Sequence, residues 1–421
     1  MKDANKSYEI RQSLFGRNRD KINPGIERIL AAAQELGNPQ HSYKTIHVAG
    51  TNGKGSTASM IAQGLIAAGE KVGLFTSPHI FSFKERFRID GKMVSTDKWL
   101  EIYNDLENMI DKHNLTFFEI SALIAFELFR REKCSWVVLE TGMGGRFDAT
   151  NICLTQASVI SKIGIDHVEY LGNTIEEITA EKLGIVKNRV PLIISGANEE
   201  KIIRQAQKYC MEKNSNIVIS NLSRIKNVAN SENPPEICLD LKDIYKLTMN
   251  GEFQKNNFIL AITTLEILGF GKNKNIYESV AKTRIAARIQ KVEFQNKTLI
   301  FDAAHNPQAM ENFCNWLKNE KLKTPINVIL GMMRDKDIKE TVKHLIPAAD
   351  SIFCFTPMTK RTEPADYLAQ TLRNLKAKNV FVCKSANDAL QKSLEQGGTT
   401  LISGSFYTIS EIMEAANIKI L

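Results

Sequence analysis

Hydrophobic positions along the chain fall into two alternating patterns: short, fully apolar runs, and longer stretches where apolar residues recur every three or four places. The first pattern predicts buried parallel strands and the second amphipathic helices. Thr45 to Ala49 thus predicts a strand. Ser56 to Ala68 predicts a helix carrying Met60, Ile61, Leu65 and Ile66 at helical spacing and stopped by Gly69. Upstream, Gly25 to Leu36 predicts a helix with Ile26, Ile29, Leu30 and Ala33 on one face. Downstream come strand Lys71 to Phe75, helices Thr96 to Met109 and Thr116 to Arg131, strand Trp136 to Leu139, strand Ala157 to Ile163, helix Glu176 to Val186 and strand Val190 to Ser195. In the aromatic helix after Thr116, most phenylalanines belong to the core, while Phe118 sits near the helix start, where it can face a planar ligand.

Asn221 to Pro235 is polar and reads as a hairpin or loop excursion, and Gln254 to Leu268 is helical. Thr283 to Val292 lacks strong periodicity and reads as a domain linker carrying Arg284, Arg288 and Lys291. Beyond it the alternation restarts, with strands Thr298 to Phe301, Ile326 to Leu330, Ser351 to Phe355, Val380 to Cys383 and Thr400 to Ser403 separated by helices. The expected fold is α/β: a P-loop ATPase domain with a parallel sheet over residues 1–287, then a smaller C-terminal Rossmann-like α/β domain over residues 288–421.

A chain of 421 residues, 43% of them hydrophobic, can bury a sizeable core in two domains. No apolar run approaches the roughly 20 residues that cross a bilayer, and Met1 to Lys21 is too polar for a signal peptide, so a cytoplasmic protein without a membrane partner is expected. The seven cysteines form no Cys-x-x-Cys pair, which argues against a disulfide framework or a thiolate zinc site. A net charge of +8 admits nucleic acid or acidic small molecules as partners, but the basic residues are spread along the chain as on a solvated surface.

The candidate chemistry gathers at strand ends. Between the strand Thr45–Ala49 and its helix lies Gly50-Thr51-Asn52-Gly53-Lys54-Gly55-Ser56, a glycine-rich turn whose backbone can cradle phosphate while Lys54 supplies a point charge. The general P-loop pattern asks for Gly where Val48 stands and for Ser or Thr where Gly55 stands. Glu140 ends an apolar strand beside the P-loop strand, the place that holds Mg²⁺ in nucleotide-hydrolysing folds. A second glycine-rich turn runs from Gly142 to Asn151, and the strand Ala157–Ile163 leads to Asp166 and His167, the latter a candidate second metal ligand. Ser77 and His79 follow another strand, where helix capping is the commoner use. Lys182 reads most simply as a helix-end lysine, and the C-terminal domain's first strand ends in Asp302-Ala303-Ala304-His305-Asn306-Pro307.

These blocks, with Glu181-Lys182-Leu183-Gly184-Ile185, Gly331 to Asp337 and Gly404 to Thr408, resemble the folylpolyglutamate synthase/dihydrofolate synthase group of the Mur ligase family, in its order, from about Ile26 to Tyr407. The resemblance implies ATP-dependent amide-bond formation, in which the γ-phosphate activates a carboxylate that the amine of L-glutamate then attacks. It implies nucleotide contacts from Thr51, Asn52, Gly53, Lys54, Gly55, Ser56, Asn257, Arg288, Asp302 and His305. It also implies metal ligation by Ser77, Glu140, His167 and a carbamylated Lys182, with two Mg²⁺ sites. Lys54, Lys182 and His167 would carry the catalysis, with domain closure delivering the charge of Arg288. Thr116, Phe118 and Asp148 match an acceptor pocket for dihydropteroate and folates. Members are commonly monomers, and no nucleic acid is expected. The chain departs from the group's pattern at Thr141, Phe147, Ala303, Ala286-Ala287 and Phe253. Three alternatives stand beside this reading: folylpolyglutamate synthase alone, a Mur-type amino-acid ligase of cell-wall synthesis, and a nucleotide-binding switch or nucleic-acid ATPase.

Overall fold

The structure, a computed structural model, describes residues 23–227, 235–240 and 242–418. By compactness it divides into two units. The first comprises the described residues up to Gly164, then Leu171–Arg224 and Asn256–Ala281; the second comprises Ile165–Tyr170, Ile225–Lys255 and the chain from Lys282 onward.

The first unit is built on an eight-stranded sheet. Its strands are β1 (Lys44–Ala49), β2 (Val72–Phe75), β3 (Phe87–Ile89), β4 (Lys92–Met93), β5 (Trp136–Glu140), β6 (Thr155–Ile160), β7 (Leu192–Ser195) and β8 (Ile217–Ser220), in the order β4-β3-β2-β5-β1-β6-β7-β8. All neighbours are parallel except β2-β3 and β3-β4. The central strands β1 and β5 are buried along almost their whole length, as their apolar runs require. Short β3 and β4 were not expected as strands.

Helix Phe117–Arg131 is nucleated by a capping box in which Thr116 and Glu119 bond each other's backbone. It buries Phe117, Phe126 and Phe129 in one core with Trp99, Tyr103, Phe75 and Phe87. Because this helix is apolar nearly all round, it lies inside the unit rather than on its surface. Among the described residues no helix is long and apolar enough to cross a membrane. All seven cysteines are free and six are buried, so they act as small hydrophobes.

The second unit holds two sheets. The segment expected as a hairpin or excursion enters a three-stranded antiparallel sheet of β9 (Ile225–Asn227), β10 (Glu236–Leu239) and β11 (Asp243–Lys246), with residues 228–234 outside the described ones. The six-stranded sheet has the order β12-β13-β17-β14-β15-β16, from β12 (Gln290–Phe294), β13 (Lys297–Phe301), β14 (Ile326–Leu330), β15 (Ser351–Cys354), β16 (Asn379–Val382) and β17 (Thr399–Ser403). Only β12-β13 is antiparallel. The expected linker Thr283–Val292 therefore needs correction: from Gln290 onward it is the edge strand of this sheet. Its burial is only partial, which is why no clear period marked it. Lys291, expected among the linker cations, lies on β12 with Nζ 2.5 Å from Glu320 Oε2 and over the Trp316 ring.

Candidate functional site

In the first unit β1 runs into Gly50 (φ +148°) and Gly53 (φ +87°), and the next helix begins at Lys54, two residues before the expected start. A Cβ at Gly50 would overlap Ser161 Oγ, and one at Gly53 would overlap Asn257 Oδ1, so both positions need glycine. Thr51 and Asn52 donate their N–H groups to Lys162 O at 2.9 and 3.0 Å, and Thr51 Oγ1 bonds Gly164 O at 2.9 Å. These two residues thus hold the loop's shape. Thr57 makes the first intrahelical bond, to Gly53 O, so the turn Gly50–Gly53 runs directly into a helix N-terminus, an arrangement able to receive an anion. Lys54 Nζ folds back to Thr51 O at 3.2 Å.

Glu140 ends β5 in register with Val48 of β1. Its buried carboxylate accepts Ser77 N–H at 2.9 Å, and a Cβ on Gly55 would lie 3.3 Å from both of its oxygens. The missing side chain at Gly55 is what lets the carboxylate approach the first helical turn. The Glu140 carboxylate is a hard oxygen donor of the kind Mg²⁺ takes, and Ser77, whose N–H it accepts, is a residue type that carries a second such oxygen, so the residues fit that ion. Asn257, 6% exposed, approaches the same loop and its Oδ1 stands 3.5 Å from Thr57 Oγ1.

Lys182 stands in the last turn of its helix, as the plain reading has it, but its side chain is buried rather than solvated. The residue is 3% exposed and donates from Nζ to Gly50 O at 2.8 Å. Helix Ile175–Leu183 ends against the phosphate loop, which turns its last-turn lysine inward.

Thr116 is the N-cap of helix Phe117–Arg131, with Oγ1 accepting from Glu119 N at 3.4 Å. Phe118 is half-buried; its ring lies 5.9 Å from that of Phe75 and fills the space that a side chain at Gly142 would need. Asp148 is buried, and its carboxylate accepts the N–H groups of Gly142 at 2.8 Å, Met143 at 3.0 Å and Thr150 at 3.0 Å, together with the Thr150 hydroxyl. Burial raises its pKa while these bonds oppose the rise. Asp148 therefore shapes the second glycine-rich turn from within. Sequence reasoning missed what stands behind it: His47, 0% exposed, contacts Thr150 Oγ1 at 2.7 Å through Nε2. The available signal was a histidine inside an otherwise apolar strand.

In the second unit Asp166 collects the expected residues. Its Oδ1 accepts Lys336 Nζ at 2.6 Å and the N–H of His167 at 2.9 Å, while Oδ2 accepts Asn306 Nδ2 at 3.3 Å and lies 3.6 Å from His305 Nε2. Burial alone would raise its pKa, but His305, His167 and Lys336 hold it well below the usual carboxylate range. His167 has φ +53°, the left-handed region that costs a non-glycine residue energy. Asp335 lies 3.8 Å from its Nδ1, and Lys336 lies 3.4 Å from its Nε2. Lys336 and Asp335 belong to a quoted motif, yet nothing in their local pattern assigned them to His167.

His305 Nδ1 donates to Ala303 O at 2.7 Å, which fixes its tautomer when neutral. Asp302 is buried and accepts from Ile289 N and Ala304 N, both at 2.9 Å. Burial pushes its carboxyl up to about 6, although Arg288 opposes this. The Arg288 guanidinium lies 5.3 Å from the centre of the Phe406 ring, a cation–π contact.

Comparison with known proteins gives the family. Residues 48–265 match the Mur ligase middle domain, and residues 287–406 match the Mur ligase glutamate ligase domain. The dihydrofolate synthase/folylpolyglutamate synthase of Bacillus subtilis is 30% identical, over 96% of this chain and 97% of the relative. Mycobacterium tuberculosis folylpolyglutamate synthase complexed with ADP superposes with a TM-score of 0.90 at 26% identity, covering 99% of both chains. Escherichia coli FolC in complex with DHPP and ADP gives 0.86 at 27% identity, over 98% of this chain and 97% of that one. This chain therefore belongs to the Mur ligase family and is an ATP-dependent ligase of its dihydrofolate synthase/folylpolyglutamate synthase group.

Proposed function

We propose that the chain joins L-glutamate to folate-type carboxylates, converting dihydropteroate to dihydrofolate and lengthening the glutamate chain of folates. The observation that carries this reading is the meeting of Ser77 and buried Glu140 under the first turn of the phosphate-loop helix, a built place for a nucleotide and its cation. A carboxylate is a poor electrophile. Its oxygen attacks the γ-phosphorus of ATP, the bond to ADP breaks, and an acyl phosphate forms. The neutral amine of L-glutamate then adds to the acyl carbon, inorganic phosphate leaves, and one proton is released.

Such chemistry asks the protein mainly for positioning and charge neutralisation. Lys54 and the amides of Gly53, Gly55 and Ser56 hold the phosphates, with Thr51 and Asn52 shaping their loop. Asn257 completes the first unit's nucleotide contacts. Mg²⁺ held by Ser77 and Glu140 would neutralise charge on the phosphates. At Lys182 the unprotonated Nζ adds to CO₂, an N–C bond forms and one proton leaves, so that the resulting carbamate can hold a second Mg²⁺. Thr116, Phe118 and the turn shaped by Asp148 receive the acceptor. We assign nucleotide and acceptor binding to residues 1–287 and the glutamate ligase portion to residues 288–421. We read the protein as a cytoplasmic monomer acting on small molecules.

The test is phosphate release by the purified protein with ATP, Mg²⁺ and L-glutamate, comparing 7,8-dihydropteroate with tetrahydrofolate as acceptor. Release with both establishes both activities, and release with tetrahydrofolate alone leaves a folylpolyglutamate synthase. Release stimulated by neither acceptor overturns the substrate assignment.

A further inference from the structure

We propose that Asn151 is a positioning residue that holds Lys182 against the phosphate loop and joins its placement to that of the acceptor turn. The inference rests on the reading of Lys182 as a carbamylated lysine.

Asn151 closes the turn that Asp148 shapes, and its side-chain amide is fully engaged. Nδ2 donates to Arg146 O at 2.9 Å and to Gly184 O at 3.1 Å, while Oδ1 accepts Lys187 Nζ at 2.7 Å. The same ammonium also bonds the Asn151 carbonyl at 2.7 Å. One amide thus ties the glycine-rich turn, through Arg146, to the residue two places after Lys182. The two segments are packed as tightly as backbone allows. Arg146 N donates to Glu181 O at 2.8 Å, and a Cβ on Gly145 would lie 2.8 Å from the carbonyl oxygens of both Glu181 and Lys182. A Cβ on Gly184 would overlap Arg146. With no side chain between them, any shift of the turn moves the end of helix Ile175–Leu183. That end carries Lys182, whose Nζ bonds Gly50 O at 2.8 Å. The acceptor turn, the lysine and the phosphate loop are therefore mechanically continuous, with Asn151 as the polar fastener.

A carbamate forms reversibly, so its occupancy follows mass action and depends on how well the surroundings hold the product. Withdrawing the fastener should lower occupancy at ambient bicarbonate, and added bicarbonate should restore it. Asn151→Ala and Asn151→Asp are the variants, the second keeping an oxygen for Lys187 but losing both donated bonds. Both should lose about 10- to 100-fold in kcat, the range for groups that orient a ligand from behind. KM for ATP should stay within about twofold. The readout independent of turnover is the carbamate carbon signal in NMR after equilibration with ¹³C-bicarbonate, with Lys182→Ala as blank and thermal melts confirming the fold. A weakened signal that recovers, together with kcat, at raised bicarbonate supports the proposal. A wild-type signal retained in full by a folded Asn151→Asp refutes it and leaves the carbamate reading intact. No signal in the wild-type protein refutes the carbamate reading, and the proposal with it.

Discussion

The substitution His47→Gln tests how the buried chain His47–Thr150–Asp148 is protonated. Thr150 Oγ1 has one proton, and Asp148 accepts it, so His47 must donate from Nε2. Its Nδ1 is buried and has no hydrogen-bond partner among the described residues. Protonating that nitrogen would create a charge with nothing to receive it, and burial, reinforced by the cation of Lys187, lowers the imidazole pKa to about 3. In the unfolded chain the same ring titrates near 6.5. The sign follows from linkage: a depressed folded pKa means that the unfolded state takes up the proton first as pH falls. The contribution of neutral His47 is therefore intact above about pH 6.5 and is lost progressively from there toward about pH 3.

Each pH unit within that window costs about 1.4 kcal/mol. Between pH 7.5 and pH 5 the wild-type protein should lose about 2 kcal/mol through this group. A glutamine amide in place of the imidazole can still donate to Thr150 but does not titrate; the altered bond and shape should cost about 1–2 kcal/mol at pH 7.5. The two stability curves should converge and meet between about pH 6 and about pH 5. Hydrogen exchange of the peptide carrying Lys44–Ala49, measured across this pH range, follows the opening of the first unit. Other titrating groups cancel in the difference between the proteins. A stability difference that stays constant from pH 7.5 to pH 5 would refute the account.

Three further outcomes are expected. Ala287 is buried with φ +57°, the left-handed region that favours glycine; Ala287→Gly should raise stability by about 0.5–1 kcal/mol, read as a higher urea midpoint. Gly55→Ser, which restores the residue of the general P-loop pattern, should lower turnover at least tenfold and weaken Mg-ADP binding in calorimetry, because its Cβ crowds Glu140. Lys182→Ala should abolish ligation, below about 10⁻³ of wild-type kcat, while the melting curve stays close to wild type; near-normal turnover would sink the carbamate role.

What the sequence disclosed and what it withheld divide along a physical line. Buried parallel strands carry their own evidence, because both faces must be apolar, and Ile326–Leu330 and Trp136–Glu140 fall where their runs predict. Edge strands carry little. β12 alternates between half-buried and exposed positions, and β3 and β4 have three and two residues, so none of them left a readable period. At the site, residue types at strand ends disclosed the candidates, since that edge of a parallel sheet is where ligands bind. Partnerships stayed hidden. Lys182 meets Gly50 across 132 residues and Lys336 meets Asp166 across 170, distances over which no local pattern carries information.

The two departures from the general phosphate-loop pattern have one structural cause. β1 continues through Val48 and Ala49, so the turn is confined to Gly50–Gly53 and the helix begins at once with Lys54. A loop this short keeps the helix start close to the end of β5, where Val48 and Glu140 are register partners. A side chain after Lys54 would crowd the carboxylate beneath the helix: a Cβ would stand 3.3 Å from the Glu140 oxygens. The hydroxyl that the usual pattern supplies from that position can come instead from Ser77, whose own N–H anchors Glu140 at 2.9 Å. Val48 and Gly55 thus belong to one arrangement: the strand runs on through Val48 and Ala49, the helix start carries no side chain over Glu140, and Ser77 and Glu140, beyond the ends of β2 and β5, are the oxygen donors we propose for Mg²⁺.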